Sequence, residues 1–420
     1  MVGPDVEING VSFDSRSIRP GQLFVPLIAE RDGHEFIAGA LERGAAAYLS
    51  SLAADEANIA GGTAIEVPDT LRALMELAAV QRSAFDGPVI GVTGSVGKTS
   101  TKDLAWAALA VSTPTWANER SFNNEQGLPT TLLNTPDGTK VLMLEMGMRG
   151  FGEIAKLCAI ARPTIGVVTR VAEAHSDRVG GVEGVARAKA ELVEALPGDG
   201  LAILNADDAR VRAMSGACAG GVLLYGEAAD ADVRVSNLQL DDMAQASFHL
   251  DTPWGPCDVR LSISGRHMAS NAAAALACVG AVNGDLTAGA AALADVGLTA
   301  MRMDVQRAAT GAIVLNDSYN ANPTSMRAAL DALADLAAHR RFAVLGLMAE
   351  ISDTEPEHLA IAAYAAERDI ELIAYGTDLY GVTPTDDPVA VLGSLAGGDA
   401  VLVKASRMVG LERVAAALLG

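Results

Sequence analysis

The stretch Val89–Thr101, VIGVTGSVGKTST, constrains the fold more than any other part of the chain. Val89 to Val92 is an apolar run that reads as a buried strand. Gly94, Ser95, Val96 and Gly97 make a tight loop, and Lys98-Thr99-Ser100 opens a helix. Such a strand, loop and helix form a cradle for phosphate: backbone N–H groups at the helix start favour an anion, and glycines let the backbone approach it. A lysine then reaches the β- and γ-phosphates of a nucleotide, and the threonine hydroxyl can hold Mg²⁺. The spacing departs from the general pattern, since Val92 stands where its first glycine belongs and Gly91 falls one residue early.

Around this anchor the sequence alternates apolar strands with amphipathic helices, the pattern of a mostly parallel sheet covered by helices. Strands are expected at 141–145, 164–169, 201–205 and 222–225, and helices at 152–161 and 182–196. Between 233 and 263 the period changes to two, which predicts antiparallel strands added to that sheet, followed by helices over 268–282 and 287–295. Before the anchor, VSFDSR, QLFVPL and AAYLS read as short strands, with helices over HEFIAGALERGA and from Thr70 to Ala84. Beyond Arg302 the alternation resumes with AIVLND, FAVLGL, ELIAYG and AVLVKAS as strands and helices at 323–338, 357–368 and 407–418. The fold class is therefore α/β in three domains: 1–86, an N-terminal α/β substrate domain; 87–299, a central P-loop domain with added antiparallel strands; and 300–420, a Rossmann-like domain. A length of 420 residues fits that number of cores.

Charge narrows the partners. Against 31 Lys and Arg stand 52 Asp and Glu, a net of −21, so a nucleic-acid partner is not expected and an anionic substrate needs a local positive site. Cys158, Cys218, Cys257 and Cys278 are far apart, suggesting neither a disulfide frame nor a zinc site, and a reducing cytoplasm fits. No signal-like segment and no run of about 18 uncharged apolar residues occurs, so neither export nor membrane insertion is expected.

Several polar residues sit where strands end. Glu145 closes VLMLE at the same sheet edge as the phosphate loop, where it either holds Mg²⁺ or is simply solvated. His175 follows the next strand, as a ligand or as an ordinary histidine. Asp317 ends a strand of the third domain, where a carboxylate can accept both ribose hydroxyls, and Arg302 just before that strand can neutralise phosphate. Asn271, near the start of an apolar helix, could offer a donor and an acceptor to an adenine edge. Asp14-Ser15-Arg16 is a polar cluster after a strand, either a solvated turn or a site for phosphate or a uracil-like ligand. Nothing physical in the sequence singles out Lys189.

Taken together, VTGSVGKTSTK, SFNNEQGLPTTLL, LEMGMRGFGEI, EAHSDR, GVARAKAEL, ILNADD, GRHMASNAA, NDSYNANPTSM and LVKASR resemble the Mur ligases, ATP-dependent amide-bond formers of peptidoglycan synthesis. The family carries its loop glycine early, as here, and the resemblance runs from about 90 to 407. SFNNEQGLP and DSYNANP are most similar to the member that joins D-alanyl-D-alanine to UDP-N-acetylmuramoyl-tripeptide, and the Asp-Asn-Pro-Arg motif of the member adding the third residue is missing. The resemblance implies ATP and Mg²⁺ as cofactors, those two substrates, and a cytoplasmic enzyme expected to be a monomer. It implies that Lys98 binds the β- and γ-phosphates, that Thr99 and Glu145 hold one Mg²⁺, and that His175 helps hold a second. Lys189 matches the lysine that the family carbamylates to support that second metal. Asn271 would meet adenine, Asp317 the ribose and Arg302 the phosphates. Asn123, Asn124, Asn320 and Asn322 would serve the substrate side, and Asp14, Ser15 and Arg16 would receive the uridine nucleotide. Met268, Leu347 and Ala405 stand where the family usually has Asn, Asp and Gly, and the chain begins close to the DSR motif. Rival readings are another amide ligase of this fold, such as a folylpolyglutamate synthase, and a non-catalytic nucleotide-binding paralogue.

Overall fold

The computed structural model describes residues 3–52, 62–119, 122–172, 179–351 and 354–420. Three sheets follow one another along the chain. The first contains β1 (Val11–Ser12), β2 (Leu23–Phe24), β3 (Ala47–Ser50) and β4 (Thr63–Glu66), all parallel, with helices α1 (Ile37–Glu42) and α2 (Thr70–Ser83). Asp69 caps α2 by accepting from the Arg72 N–H. One side of α2 places Leu74 against the first sheet, and Ala78 joins the core of the second. Arg82 fastens that junction: its buried guanidinium donates to the carbonyls of Ala161 (2.6 Å), Phe85 (2.7 Å) and Arg162 (3.0 Å). A second clasp joins the two sheets, since Asn134 exchanges hydrogen bonds with the Val11 N–H (2.9 Å) and carbonyl (2.8 Å).

The central sheet has β5 (Val89–Thr93), β6 (Thr115–Ala117), β7 (Val141–Glu145), β8 (Ile165–Val168), β9 (Leu201–Asn205) and β10 (Gly221–Gly226), followed by β11 (Val233–Leu240), β12 (Gln245–Asp251) and β13 (Cys257–Ser264). Their order is β13-β12-β11-β10-β9-β8-β5-β7-β6. Every pair from β6 to β11 is parallel, while β12 pairs antiparallel with β11 and β13, as the change of period predicts. The helices are α3 (Lys98–Ala110), α4 (Gly127–Leu133), α5 (Glu153–Ala161), α6 (Val182–Glu194), α7 (Ala209–Ala213), α8 (Met268–Ala281) and α9 (Leu286–Ala292). Alanines 272 to 275 and 277 of α8 are fully buried in the core that α8 shares with α3, where small side chains let two helices approach closely.

The third sheet has β14 (Asp304–Arg307), β15 (Ile313–Asn316), β16 (Arg340–Leu345), β17 (Glu371–Ala374) and β18 (Asp399–Lys404), in the order β14-β15-β18-β16-β17. All but the β14–β15 pair are parallel. Its helices are α10 (Pro323–Asp335), α11 (Thr354–Ala366), α12 (Pro388–Leu392) and α13 (Glu412–Leu419). The chain enters this sheet past Thr299, whose N–H and hydroxyl both donate to Asp103 Oδ2 on α3, at 2.8 and 2.7 Å. Among the described residues no helix is long and apolar enough to cross a membrane.

Candidate active site

The phosphate loop lies between β5 and α3, with β5 hydrogen-bonded to β7 on one side and β8 on the other. Two glycines permit its path. Gly97 caps α3 at φ +86°, and a Cβ there would stand 2.7 Å from Asn271 Oδ1; Gly94 has φ +152°, and its Cβ would stand 1.9 Å from Thr169 Oγ1. Thr169 donates instead to the Val96 carbonyl at 2.6 Å, and the Ser95 hydroxyl bridges to Ala172 at 2.9 Å. The loop is thus fastened to the carboxyl end of β8 before any ligand arrives.

Lys98 folds back over the loop and donates to the Gly94 carbonyl at 2.6 Å. Burial pushes its amine below the ordinary lysine value, and nearby Arg302 adds to this, while Glu145 and Glu350 favour the charged form. Thr99 and Glu145, both buried, meet at 2.7 Å through Thr99 Oγ1 and Glu145 Oε2. The other carboxylate oxygen accepts from Asn123 Nδ2 at 2.7 Å, and the Glu145 N–H donates to Asn118 Oδ1 at 2.9 Å. A hydroxyl and a carboxylate beside a phosphate loop are hard oxygen donors of the kind Mg²⁺ takes. Among the described residues no group of three His, Cys, Asp or Glu gathers as a self-contained metal cage.

Lys189 lies on the buried face of α6 with Val185, Leu192 and Val193. Burial, followed by the charge of Lys98, pushes its amine well below the ordinary lysine value. Among the described residues no carboxylate forms an ion pair with it. His175 lies outside the described residues.

The third sheet faces the loop across a cavity that touches Lys98, Thr99, Asn271, Arg302, Asp317 and Lys404. Arg302 stacks on Tyr319, 4.1 Å from the ring centre, and its buried Nε has no hydrogen-bond partner among the described residues. A buried guanidinium N–H left open in this way is matched to an anion. Asp317 accepts from the Met303 N–H at 3.1 Å and pairs with Lys404, a buried lysine that also donates to the Asn320 carbonyl at 2.8 Å. Asn322 caps α10 through a reciprocal capping box with Ser325. Asn271 donates to Met268 Sδ at 3.4 Å, a weak bond to the residue that replaces the expected Asn. Ala405, at the expected glycine, has no left-handed backbone, so its φ does not require a glycine there. Beyond Asn271 the cavity continues into a cleft of about 1030 Å³ that includes Arg170, Arg266 and His267, room enough for a nucleoside. Burial holds the His267 imidazole below its ordinary pKa.

The N-terminal candidates sit apart from this cavity. Asp14 and Arg16 form an exposed double hydrogen bond at 2.9 Å, which lowers the Asp14 pKa, and Ser15 lies in the same turn. Phe13 packs 5.5 Å from Phe122, which brings this turn alongside the loop carrying Asn123 and Asn124. The Asn124 side chain accepts from the Gly127 N–H at 3.0 Å and from the Gln126 N–H at 3.2 Å at the start of α4. Sequence reasoning gave no role to Lys404, His267, Asn118 or Thr169. Only the polar end of the apolar run ending in Lys404 and the GRHMASN stretch carried any signal for the first two.

A parallel α/β core with this loop and this facing sheet defines a protein that handles nucleotide phosphates. The models of the Mur ligase family match in chain order: its catalytic domain over residues 7–82, the Mur ligase middle domain over 92–279, and the glutamate ligase domain over 301–407. The chain belongs to the Mur ligase family. It is 37% identical to the UDP-N-acetylmuramoyl-tripeptide–D-alanyl-D-alanine ligase of Mycobacterium tuberculosis, across 97% of this chain and 92% of that one. The Escherichia coli ligase of the same name is 33% identical over 100% and 95%. MurF from Acinetobacter baumannii superposes with a TM-score of 0.85 at 28% identity, covering 99% and 94%. MurF from Thermotoga maritima, solved in complex with ADP, gives 0.81 at 26% identity over 97% and 96%.

Proposed function

We propose that this chain is an ATP-dependent ligase that joins D-alanyl-D-alanine to UDP-N-acetylmuramoyl-tripeptide through an acyl phosphate, acting in the cytoplasm where such nucleotide precursors are made. The arrangement that carries the reading is one cavity with Lys98 and Thr99, the latter bonded to the buried Glu145, on the side of the central sheet and Arg302, Asp317 and Lys404 on that of the third. A carboxylate is a poor acyl donor, so the terminal carboxylate of the tripeptide attacks the γ-phosphorus of ATP and ADP leaves. The amine of D-alanyl-D-alanine then attacks the acyl carbon and phosphate leaves.

Each residue has a part in this. The loop N–H groups and Lys98 hold the β- and γ-phosphates, and Arg302 offers its Nε, unpartnered among the described residues, to the same charge. Thr99 and Glu145 would hold Mg²⁺, which spreads the charge of the transferring group, and Asn123 keeps the Glu145 carboxylate aimed. Burial disfavours the charged form of the Lys189 amine, the direction that CO₂ addition needs, and the resulting carbamate, with His175, would support a second ion. Asn271 and Asp317 would bind adenine and ribose. Asn320 and Asn322 order the third-domain edge, while the turn at Asp14, Ser15 and Arg16, with Asn123 and Asn124 nearby, would receive the uridine substrate. We take 1–86, 87–299 and 300–420 as the three domains and the monomer as the working unit.

The test is product formation. With ATP, Mg²⁺, D-alanyl-D-alanine and UDP-N-acetylmuramoyl-tripeptide containing either lysine or diaminopimelate, mass spectrometry should detect the pentapeptide amide from at least one tripeptide. ATP hydrolysis that depends on neither substrate, with no amide formed, would reject the proposal and favour a different nucleotide-binding role.

A further inference from the structure

The loop that follows β16, residues 346–351, is held by the chain leaving β18. Ser406 donates its N–H to the Leu347 carbonyl at 2.9 Å, and its hydroxyl accepts from the Ala349 N–H at 2.9 Å. Leu347 is apolar where an acid was expected, so Glu350 is the one carboxylate this loop presents. Glu350 Oε2 accepts from Asn320 Nδ2 at 3.2 Å. Asn320 touches the cavity and is fixed from behind by the Lys404 bond to its carbonyl. Glu350 is therefore aimed by an ordered chain of contacts at the edge of the phosphate site, close enough to act on the charge of Lys98.

A carboxylate placed beside a transferring phosphoryl group repels it unless a cation stands between them. The ligase reaction brings such a cation, because the α-amine of a dipeptide titrates near about 8 and arrives largely as an ammonium. We infer that Glu350 is a catalytic residue that binds the ammonium of the incoming amine and accepts its proton. This inference rests on the ligase reading. One N–H bond of the ammonium breaks and its proton moves to Glu350, which leaves the nitrogen lone pair free. That pair forms the bond to the acyl carbon, the bond from this carbon to the phosphate oxygen breaks, and phosphate leaves with the electrons. The second amine proton passes to the departing phosphate, and Glu350 returns its own to water.

The variant Glu350→Gln keeps an oxygen for Asn320 and removes the charge. It should raise the KM for D-alanyl-D-alanine about 10- to 100-fold, the worth of a charge-assisted hydrogen bond. Hydroxylamine, which is already unprotonated at neutral pH, should still capture the acyl phosphate as hydroxamate within threefold of wild type, and that signal also reports that the variant is folded. Unchanged dipeptide kinetics would overturn the inference. So would an equal loss with both nucleophiles accompanied by a raised Mg²⁺ requirement, which would place a metal ion at Glu350. A wild-type protein that makes neither amide nor hydroxamate would reject the ligase reading and this inference together. Amide formation by wild type with no effect of Glu350→Gln would reject the inference alone.

Discussion

Removing Lys404 should loosen the third domain by a predictable amount. Its amine is buried and serves three acceptors: the Asp317 carboxylate, the Asn320 carbonyl at 2.8 Å and the Asp317 carbonyl at 3.4 Å. In Lys404→Met the Asp317 side chain, 14% exposed, keeps only the Met303 N–H as a donor among the described residues. Breaking a buried ion pair from one side costs about 3–5 kcal/mol, and the surviving donor places this case near the lower end, about 3 kcal/mol. That corresponds to about a 100-fold rise in the open fraction of the third domain. A chain of three domains does not unfold in one step, so amide hydrogen exchange is the suitable assay. Protection of the slowest amides in β15 and β18 should fall by about that factor, with β5 and β7 unchanged. Adding Asp317→Asn removes the stranded charge and should recover part of the loss. Protection within threefold of wild type, or a double variant no better than the single one, would refute the reasoning.

Two further perturbations address the loop and the buried amine. Gly94→Ala forces a methyl group onto Thr169 Oγ1 and an unfavourable φ, costing about 1–3 kcal/mol in strain, and frees the Val96 carbonyl. ADP affinity measured by calorimetry should drop at least about tenfold, and an unchanged affinity would show that the loop accommodates the methyl group. For Lys189 the folded pKa lies below the unfolded one, so between the two values the unfolded chain binds more protons and stability rises with pH towards the ordinary lysine value. In CO₂-free buffer wild type should gain stability relative to Lys189→Met, which lacks this slope, as pH rises towards the ordinary lysine value. Parallel curves for the two proteins would contradict the burial argument.

Several parallel strands of the central sheet were legible as short apolar runs: β7 and β9 fall on the expected residues, and β8 within one at each end. What escaped is informative. β6 is three half-buried residues with no apolar run, and α4 begins Gly-Leu-Pro, which reads as a turn, although proline in a first turn interrupts no helical bond. Glu145 was visible as a strand-end acid, but the bonds from Thr99 and Asn123 that aim it come from other segments. Lys189 illustrates the limit. By periodicity it is one more cation on an amphipathic helix, and only packing against the central sheet shows a buried amine. Lys404 was hidden for the opposite reason, as the end of an apolar strand whose charge is consumed inside the protein.

The bond between Asp103 and Thr299 gives the phosphate helix a second job. Asp103 lies five residues past Lys98, about 7.5 Å along the axis of α3, and it grips the residue at which the chain leaves for the third sheet. Any swing of that sheet about Thr299 thus has its fulcrum on the same rigid rod that holds the phosphate. Arg302, three residues out, would be on the short arm of such a swing and would move least. Asp317 and Lys404 would be on the long arm, so the same rotation would displace the sugar and substrate side of the pocket furthest.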